Sequence, residues 1–449
     1  MFLMKSKSGG RFTEIANRAE CRSGARALRA PGPTGWEHFA TPARVRLKIR
    51  SLANLTGTNL QTNLGRLMAQ PTETTSVRKA FTHVYIIDLA GELTSSVEAT
   101  LLDAYQKASN EGARVIILNF SRLAYKNSSG IKLLVTLLAR SNAAGQRLFA
   151  AELSRAYQNI FQVTQLDQGI PVYASEADAL QAAHDLLDTT GAPLPAPARR
   201  IAPVQPTVTK RPTDNWAKPV EFLNIAEIPD GALALNVQGR RLFGPLQGFG
   251  QLWLKTYRIG LRNSELTPQE VIATWKQIVP KLKPPQKRFY PSSMGITPNE
   301  LVLIDAETSG GPISTGVMVL YAGAESFTLM TPAGHPEAGW VTFSSYVENA
   351  CTFAQVQVMA RAGDPLYELS FRLAGSTLQD QIWTYVLTAL ATQLGTSGEV
   401  QKHRTLIDPK LQWGRAWNVW YNAQLRTLLF SPIALLRWIG AWFRPKSRR

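Results

Sequence analysis

The feature that most constrains the fold is a short apolar strand followed by a polar turn and an apolar helix. Val115–Phe120 is a nearly continuous apolar run, the pattern of a strand buried on both faces. Asn127-Ser128-Ser129-Gly130 follows it and leads into an apolar helical run over Ile131–Ala144. The turn places hydroxyls and open backbone N–H groups at a helix N-terminus, where the helix dipole favours an added negative charge. This junction predicts an α/β fold in which the turn is suited to carry a phosphate.

The strand, the turn, the helix and the next strand, Gln146–Ala151, resemble the STAS domain of anti-sigma-factor antagonists over roughly residues 81–187. In that family an Asp-Ser-Ser-Gly motif holds the serine that a partner kinase phosphorylates. The resemblance implies Ser129 as the phosphorylation site, with Ser128 as the alternative. It also implies a partner-binding surface formed by Asn127, Ser128, Ser129 and Gly130.

This sequence departs from the family motif at its first position, because Asn127 replaces the aspartate. Asparagine caps a helix as aspartate does, but it brings no charge to the partner-facing surface. The alternative interpretation is therefore that Asn127 and the two serines are only an N-cap and a first helical turn.

The net charge of +17 is confined to the two ends of the chain. Residues 1–67 hold 12 Lys and Arg against 3 Asp and Glu, and residues 402–449 hold 10 against 1. The 334 residues between them are nearly neutral, with 27 basic and 28 acidic side chains. Because a nucleic-acid-binding domain carries its basic residues on a folded face, this distribution argues against nucleic acid and favours an anionic membrane surface.

No pattern of catalytic or metal-ligating residues is present. The five histidines are scattered, and the sequence lacks HExxH, CxxC, GxSxG and Gly-rich phosphate-loop motifs. His335 and Glu337, in the turn over Pro332–Ala338, are a candidate acid/base pair, but the interpretation adopted for them is a solvated loop. The chain is therefore predicted to be non-enzymatic, with no cofactor and no metal.

Composition divides the chain into five parts. The first is basic and acid-poor without apolar periodicity, so it is expected to be disordered, or to precede a true start at Met68. The third is rich in proline, which predicts a semi-stiff linker that tethers two domains without fusing them. The predicted parts are an extension (1–67), the STAS-like domain (68–188), the linker (189–219), a second domain (220–397) and a basic, Trp-rich tail (398–449).

The second domain is predicted to contain a strand over Leu252–Leu261, a helix capped by Thr267, a run of antiparallel strands ending with Leu366–Leu373, and a closing helix over Ser376–Leu394. This element order resembles the α+β helix-grip fold of START-like (SRPBCC) proteins. The resemblance implies a curved sheet that wraps the last helix and encloses a cavity for a lipid or other apolar ligand. Five aromatic residues are candidates for its lining, the alternative being that they fill the core: Trp253, Tyr257, Phe327, Trp340 and Trp383.

The C-terminal tail combines tryptophans with basic residues. Its apolar run, Leu428–Phe443, has 16 residues, fewer than the ~20 that span a bilayer, and contains Arg437. It is predicted to lie on a membrane as an amphipathic anchor, the alternative being that it packs on the second domain. The anchor residues are Trp438, Trp442, Arg444, Lys446, Arg448 and Arg449.

These observations predict a regulatory, partner-switching protein of the anti-sigma-factor-antagonist type, coupled to a domain that binds a hydrophobic ligand. By resemblance, its protein partner is an anti-sigma factor or a serine-kinase-type switch protein, and its source is bacterial. The alternative is a lipid-binding or lipid-transfer protein at a membrane surface, with the STAS-like domain as a scaffold. Because residues 1–67 lack a secretory apolar region, the expected location is cytoplasmic, on the inner face of the membrane if it binds one.

Overall fold

A computed structural model describes residues 75–92, 95–124, 129–188, 215–262, 265–282, 284, 287–308, 311–374 and 377–430. Within them the chain forms two β-sheets, each covered by helices. The first sheet has five strands in the order β1-β2-β3-β4-β5, of which only the β1–β2 pair is antiparallel. Its elements are β1 (Ser76–Phe81), β2 (Val84–Glu92), α1 (Ser95–Asn110), β3 (Val115–Ala124), α2 (Ser129–Ala143), β4 (Arg147–Ala151), α3 (Arg155–Thr164), β5 (Val172–Tyr173) and α4 (Glu176–Asp188).

The predicted buried strand lies at the centre of this first sheet. Side chains alternate along β3, so Ile116 and Leu118 pack with α1 and α2, whereas Val115 and Ile117 pack with α4. The strand is buried on both faces because helices cover both, as its continuous apolar sequence predicts. The mixed sheet with helices on both faces confirms the predicted α/β architecture of the first domain.

The second sheet is antiparallel and has the strand order β14-β7-β13-β12-β11-β10-β9-β8, with β6 paired to β11. The helices α5 and α7 pack on one of its faces. Its strands are β6 (Leu242–Phe243), β7 (Leu252–Leu261), β8 (Lys287–Pro291), β9 (Leu301–Thr308), β10 (Gly311–Ala322), β11 (Ser326–Pro332), β12 (Glu337–Glu348), β13 (Cys351–Ala362) and β14 (Val400–Asp408), and its helices are α5 (Pro268–Ile278), α6 (Pro365–Ala374) and α7 (Thr377–Gln393).

Helix α5 begins as its sequence predicts. The Thr267 side chain accepts a hydrogen bond from the Glu270 backbone, and the Glu270 carboxylate accepts one from the Thr267 backbone N–H. Helix α7 matches the predicted closing helix and buries Ile382, Val386 and Leu390 against the sheet. A helix held against a broad antiparallel sheet leaves room for a cavity between the two layers.

The segment Leu366–Leu373, predicted as a strand, is the helix α6 instead. Asp364 caps this helix, since its Oδ1 accepts hydrogen bonds from the backbone N–H groups of Leu366 and Tyr367 at 2.8 and 3.1 Å. An Asp-Pro pair at the N-cap and first helical position is a helix-start signal, and it outweighs the local β-like composition.

Residues on either side of the predicted second domain also pack against its sheet. Trp216 is buried against Tyr321, with ring centroids 5.0 Å apart, although it lies within the predicted linker. The strand β14, within the predicted tail, pairs with β7 along most of its length. Residues 413–421 form a 3-10 helix and residues 423–430 are helical, and Asn418 binds the carbonyl oxygens of Gln247 and Gly363.

The two domains are in direct contact, whereas the sequence predicted only a tether. One buried apolar cluster contains residues of both, including Leu138 of α2 and Leu242 of β6. Two hydrogen bonds cross the boundary, from Gln165 Nε2 to the Leu242 carbonyl at 2.7 Å and from Gln247 Nε2 to Gln168 Oε1 at 2.9 Å. Helix α2 also contacts β14. The domains therefore share apolar surface that neither would bury alone.

Candidate functional site

The predicted partner-binding turn lies at the N-terminus of α2. Ser129 is the first residue of that helix, and Gly130 is buried beside it. Asn127 and Ser128, and the side chain of Ser129, lie outside the described residues. The backbone thus places Ser129 at a helix N-terminus that follows the carboxyl end of β3, which is the position the sequence predicted.

A cation lies one turn after Ser129. Lys132 Nζ forms an ion pair with Glu98 Oε2 at 3.0 Å, and this pair joins α2 to the first turn of α1. Both side chains are partly exposed, so the pair alone contributes little to stability. Positions i and i+3 of a helix share a face, which puts Lys132 on the same side of α2 as Ser129.

A cavity of about 650 Å³ lies in the second domain, a volume within the range of small-molecule sites. It opens between the sheet, α6 and α7. Part of its wall is apolar and part carries ionisable groups. The apolar lining includes Trp253, Ile304, Ile313, Phe371, Ile382 and Trp383, and the polar lining includes Lys255, Lys287, Thr315, His335, Glu337 and Gln379.

His335 and Glu337 are part of this cavity wall, so the predicted solvated loop is wrong. The turn is held inside the domain because Ala423 donates its N–H to the Gly334 carbonyl at 2.9 Å and the C-terminal segment covers it. Burial, together with the positive charge of Lys287, lowers the pKa of His335 to about 3. His335 Nδ1 lies 3.1 Å from the backbone nitrogen of Glu337 and 3.0 Å from its carbonyl oxygen, so the ring is held against the backbone of Glu337.

A chain of polar side chains fixes the Glu337 carboxylate. Gln379 Nε2 donates to both Glu337 oxygens at 2.9 and 3.0 Å, and Lys255 Nζ donates to Gln379 Oε1. Beside this chain, Tyr257 donates to Asp380 at 2.7 Å, and Arg404 pairs with the same carboxylate. Burial is the main reason that the pKa of Tyr257 is raised, so the phenol stays protonated as a donor.

The five predicted lining residues separate into two groups. Trp253 and Trp383 line the cavity. Tyr257 and Phe327 lie on the same face of the sheet but are buried in its core, where Phe327 stacks on Phe343 at 4.5 Å. Trp340 points to the opposite face, because strand alternation places it with Met330 and Met359 toward the first domain. These three aromatics serve packing, the alternative that the sequence left open.

All six predicted anchor residues lie outside the described residues: Trp438, Trp442, Arg444, Lys446, Arg448 and Arg449. The residues before them pack on the second domain, where α6 lies beside residues 413–421. Leu373 and Trp420, each 79% exposed, belong to an apolar surface on these two segments. The other exposed members of this surface are Leu366, Leu369, Trp413 and Trp417. Within the described part of the chain, no helix is long and apolar enough to cross a bilayer.

Sequence reasoning missed the polar residues of the cavity. Lys287, Thr315 and Gln379 belong to no motif, and each lies in a different element. Lys287 and Thr315 are related by strand register, since Lys287 pairs with Ala306 on β9 and Thr315 pairs with Ile304 on the same strand. This places them on the cavity face, but the register becomes known only from the folded sheet.

Comparison with known proteins identifies part of the chain. The family model described as "Mlab, STAS domain" matches residues 78–173. No curated protein sequence matches. Among solved structures, the chain is similar to the phosphorylated form of the Bacillus cell fate determinant SpoIIAA, with 22% identity over 24% of this chain and 99% of that one and a TM-score of 0.22.

Two further solved structures are similar to the chain. One is an anti-sigma factor antagonist from Mycobacterium paratuberculosis, with 23% identity over 25% of this chain and 94% of that one and a TM-score of 0.22. The other is a conserved protein from Geobacillus kaustophilus, with 13% identity over 33% of this chain and 99% of that one and a TM-score of 0.26. From the family match, we conclude that residues 78–173 form a STAS domain.

Proposed function

We propose that the chain is a non-enzymatic regulator in which a STAS domain of the anti-sigma-factor-antagonist type controls partner binding and a START-like second domain holds an apolar ligand. The observation that carries the proposal is the course of α2. This helix begins at Ser129, the candidate phosphorylation site, and its Leu138 side chain belongs to the apolar cluster shared with the second domain. A change at the partner surface therefore acts on an element that contacts the ligand-holding domain.

Phosphorylation of Ser129 would change the charge at the start of α2. A phosphate adds roughly −1.5 to −2 charges at neutral pH, next to the helix dipole and within reach of Lys132. It would compete with Glu98 for Lys132 and would repel Glu98 from the same surface. The partner in this proposal is an anti-sigma factor or a serine-kinase-type switch protein, which would discriminate between the two charge states.

The first test is phosphosite mapping of the full chain purified from its host, with phosphate expected on Ser129. Phosphate on other residues and never on Ser128 or Ser129 would contradict the switch. Coupling is tested by the affinity of the neutral apolar dye N-phenyl-1-naphthylamine for Ser129→Asp and Ser129→Ala. Coupled sites differ by about 5-fold or more in such measurements. Thr82→Asp, an exposed change at the opposite end of the sheet, is the control and should match the wild type.

The ligand-holding role is tested by filling the cavity. Ala306 lines it from β9, so Ala306→Phe should reduce binding of the same dye at least about 10-fold by occupying its volume. Ala226→Phe adds the same side chain at an exposed position and should leave binding unchanged. If the wild-type chain does not bind the dye, the ligand-holding function is wrong.

A second candidate function, lipid binding or transfer at a membrane surface, is favoured by the exposed apolar surface. Leu366, Leu369 and Leu373 of α6 are exposed, while Tyr367 and Phe371 of the same helix line the cavity. An apolar patch beside a cavity mouth is suited to contact lipid during ligand exchange. Leu373→Glu should weaken co-sedimentation with phosphatidylglycerol vesicles without changing the melting temperature. Equal co-sedimentation of the variant and the wild type would remove α6 from this role.

A further inference from the structure

The cavity contains buried hydrogen-bond donors that no described residue satisfies. Thr315 is only 2% exposed and lines the cavity, and its Oγ1 has no hydrogen-bond partner. Trp383 Nε1 is likewise buried and unpaired at the same cavity. Buried polar groups are normally paired, and leaving them unpaired destabilises the folded state. Two such groups face the cavity, one from β10 and one from α7, and a bound molecule could supply acceptor atoms to both.

Lys287 adds a positive charge to the same wall. Within the described part of the chain its ammonium makes no hydrogen bond and has no carboxylate within ion-pair distance. Burial lowers the pKa of Lys287, while the nearby charge of Glu337 raises it. Lys287 is half-buried, and an oxyanion is the group that would best stabilise an ammonium that lacks a hydrogen-bonding partner there.

Strand register brings these groups together. Lys287 on β8 pairs with Ala306 on β9, which pairs with Ile313 on β10, two residues before Thr315. Adjacent strands lie about 4.8 Å apart and residues about 3.4 Å apart along a strand, so the Lys287 and Thr315 backbones are separated by roughly 12 Å across one cavity face. An extended lysine side chain covers much of that distance. Trp383 on α7 adds its Nε1–H as a third donor to the same cavity.

The charges that line the cavity are close to balance, and one cation among them lacks a partner within the described part of the chain. Lys255 and Lys287 are cationic, Glu337 is anionic and held by Gln379, and His335 is neutral. The other lining cations have partners elsewhere: Arg361 pairs with Asp408, Arg372 with Glu368, and Arg404 with Asp380. Glu307 also lines the cavity, so the two lysines face two carboxylates, and Lys287 is the lining cation without a fixed partner among the described residues.

We propose that Lys287, Thr315 and Trp383 bind the carboxylate of an amphipathic acid, whose hydrocarbon part lies along the apolar wall of the same cavity. This inference rests on the proposed ligand-holding function and narrows the ligand to long-chain carboxylic acids. Trp253, Ile304, Ile313 and Ile382 form the apolar wall that would contact the hydrocarbon chain, and the three donors would contact the head group.

The test compares molecules that differ only in the head group. Dodecanoic acid, 1-dodecanol and dodecyl phosphate are each used to displace N-phenyl-1-naphthylamine from the full chain at neutral pH. We expect the acid to bind about 10-fold more tightly than the alcohol, because of these two molecules only the acid offers a charged acceptor to Lys287. Tighter binding of the phosphate than of the acid would overturn the assignment to a carboxylate.

Two variants locate the head group. Lys287→Met and Thr315→Val keep the size of each side chain and remove its donor, so each should weaken acid binding toward the affinity of the alcohol. The affinities of both variants for the dye and for the alcohol should stay within about twofold of the wild-type values, which would show that the cavity remains folded. Lys402→Met, an exposed change on β14, is the matched control and should bind the acid as the wild type does.

The outcomes separate the two proposals. If the acid and the alcohol bind equally, or if Lys287→Met binds the acid as the wild type does, the carboxylate site is wrong while dye binding still supports the ligand-holding function. If the dye does not bind at all, the ligand-holding function itself fails. Thermal unfolding gives an independent readout, since dodecanoic acid should raise the melting temperature of the wild type more than that of Lys287→Met.

Discussion

His335 is a buried histidine whose ionisation affects stability. Its folded pKa is about 3, below the ordinary value of 6.5, so the unfolded chain binds the proton more readily. The stabilisation from the neutral ring is complete above pH 6.5 and is lost as the pH falls toward 3. Between pH 7 and pH 5 we expect the free energy of unfolding of the wild type to fall by about 2 kcal/mol more than that of His335→Gln, measured by urea titration.

The control for this prediction is His403→Gln, since His403 is exposed on β14. It should keep the pH dependence of the wild type. If the His335→Gln variant has the same pH dependence as the wild type, the imidazole of His335 titrates normally and is not enclosed by the cavity.

Arg361 is the most completely paired charge of the second domain among the described residues. It is 5% exposed, bonds to Asp408 at 2.6 Å and donates to the carbonyl oxygens of Pro245, Gly250 and Lys410. Removing one partner of a buried pair leaves the other charge uncompensated. Arg361→Met should therefore lower the free energy of unfolding by about 3 to 5 kcal/mol, measured by chemical denaturation.

The exposed pair of Arg241 and Glu221 provides the comparison for this prediction. Arg241→Met should change the free energy of unfolding by less than about 1 kcal/mol, because solvent screens exposed ion pairs. Equal effects of the two arginine substitutions would show that the Arg361 pair is open to solvent.

At the scale of elements, the sequence predicts those strands and helices whose own residues carry the signal. The strand β3, the capped helix α5 and the long helix α7 follow from apolar periodicity and capping residues within each segment. β14 was missed because its residues alternate weakly, and its place is set by pairing with β7 far away in sequence. The polar residues of the cavity were missed for the same reason, because only the register of β8, β9 and β10 brings Lys287 and Thr315 to one cavity.

One contact that holds the segment 413–430 on the second domain requires a glycine. Gly334 has a φ of +93°, and a Cβ at this position would lie 2.0 Å from the carbonyl oxygen of Tyr421. Gly334→Ala should therefore displace the segment from the turn that carries His335. We expect faster hydrogen exchange of the Ala423 amide, which donates to the Gly334 carbonyl in the wild type.

Gly239→Ala separates steric conflict from backbone strain in this experiment. Gly239 has a φ of +70°, but no atom lies within 4 Å of the position of its Cβ. Gly239→Ala should lower the free energy of unfolding by about 1 kcal/mol, because alanine is strained at this φ. It should not speed hydrogen exchange at Ala423. If both variants protect Ala423 as the wild type does, the segment is attached independently of Gly334.

At the scale of the whole molecule, the unexpected feature is that the two domains share a core. Proline content predicted a tether between the two domains. Composition does not show whether apolar side chains at the surfaces of two domains complement each other. Leu138 and Leu246 illustrate the limit, since both approach Gly169 at the boundary, yet neither belongs to a sequence motif.

The shared core predicts that the domains unfold together. Leu246 packs against the apolar cluster that spans the boundary, so Leu246→Asp would place a charge in an apolar contact. In differential scanning calorimetry we expect one transition for the wild type and two for this variant, because the first and second domains then unfold separately. Leu233→Asp, at an exposed position of the second domain, should keep a single transition. Two transitions in the wild type would show that the contact is too weak to couple the domains, and the route from Ser129 through α2 to the cavity would then be lost.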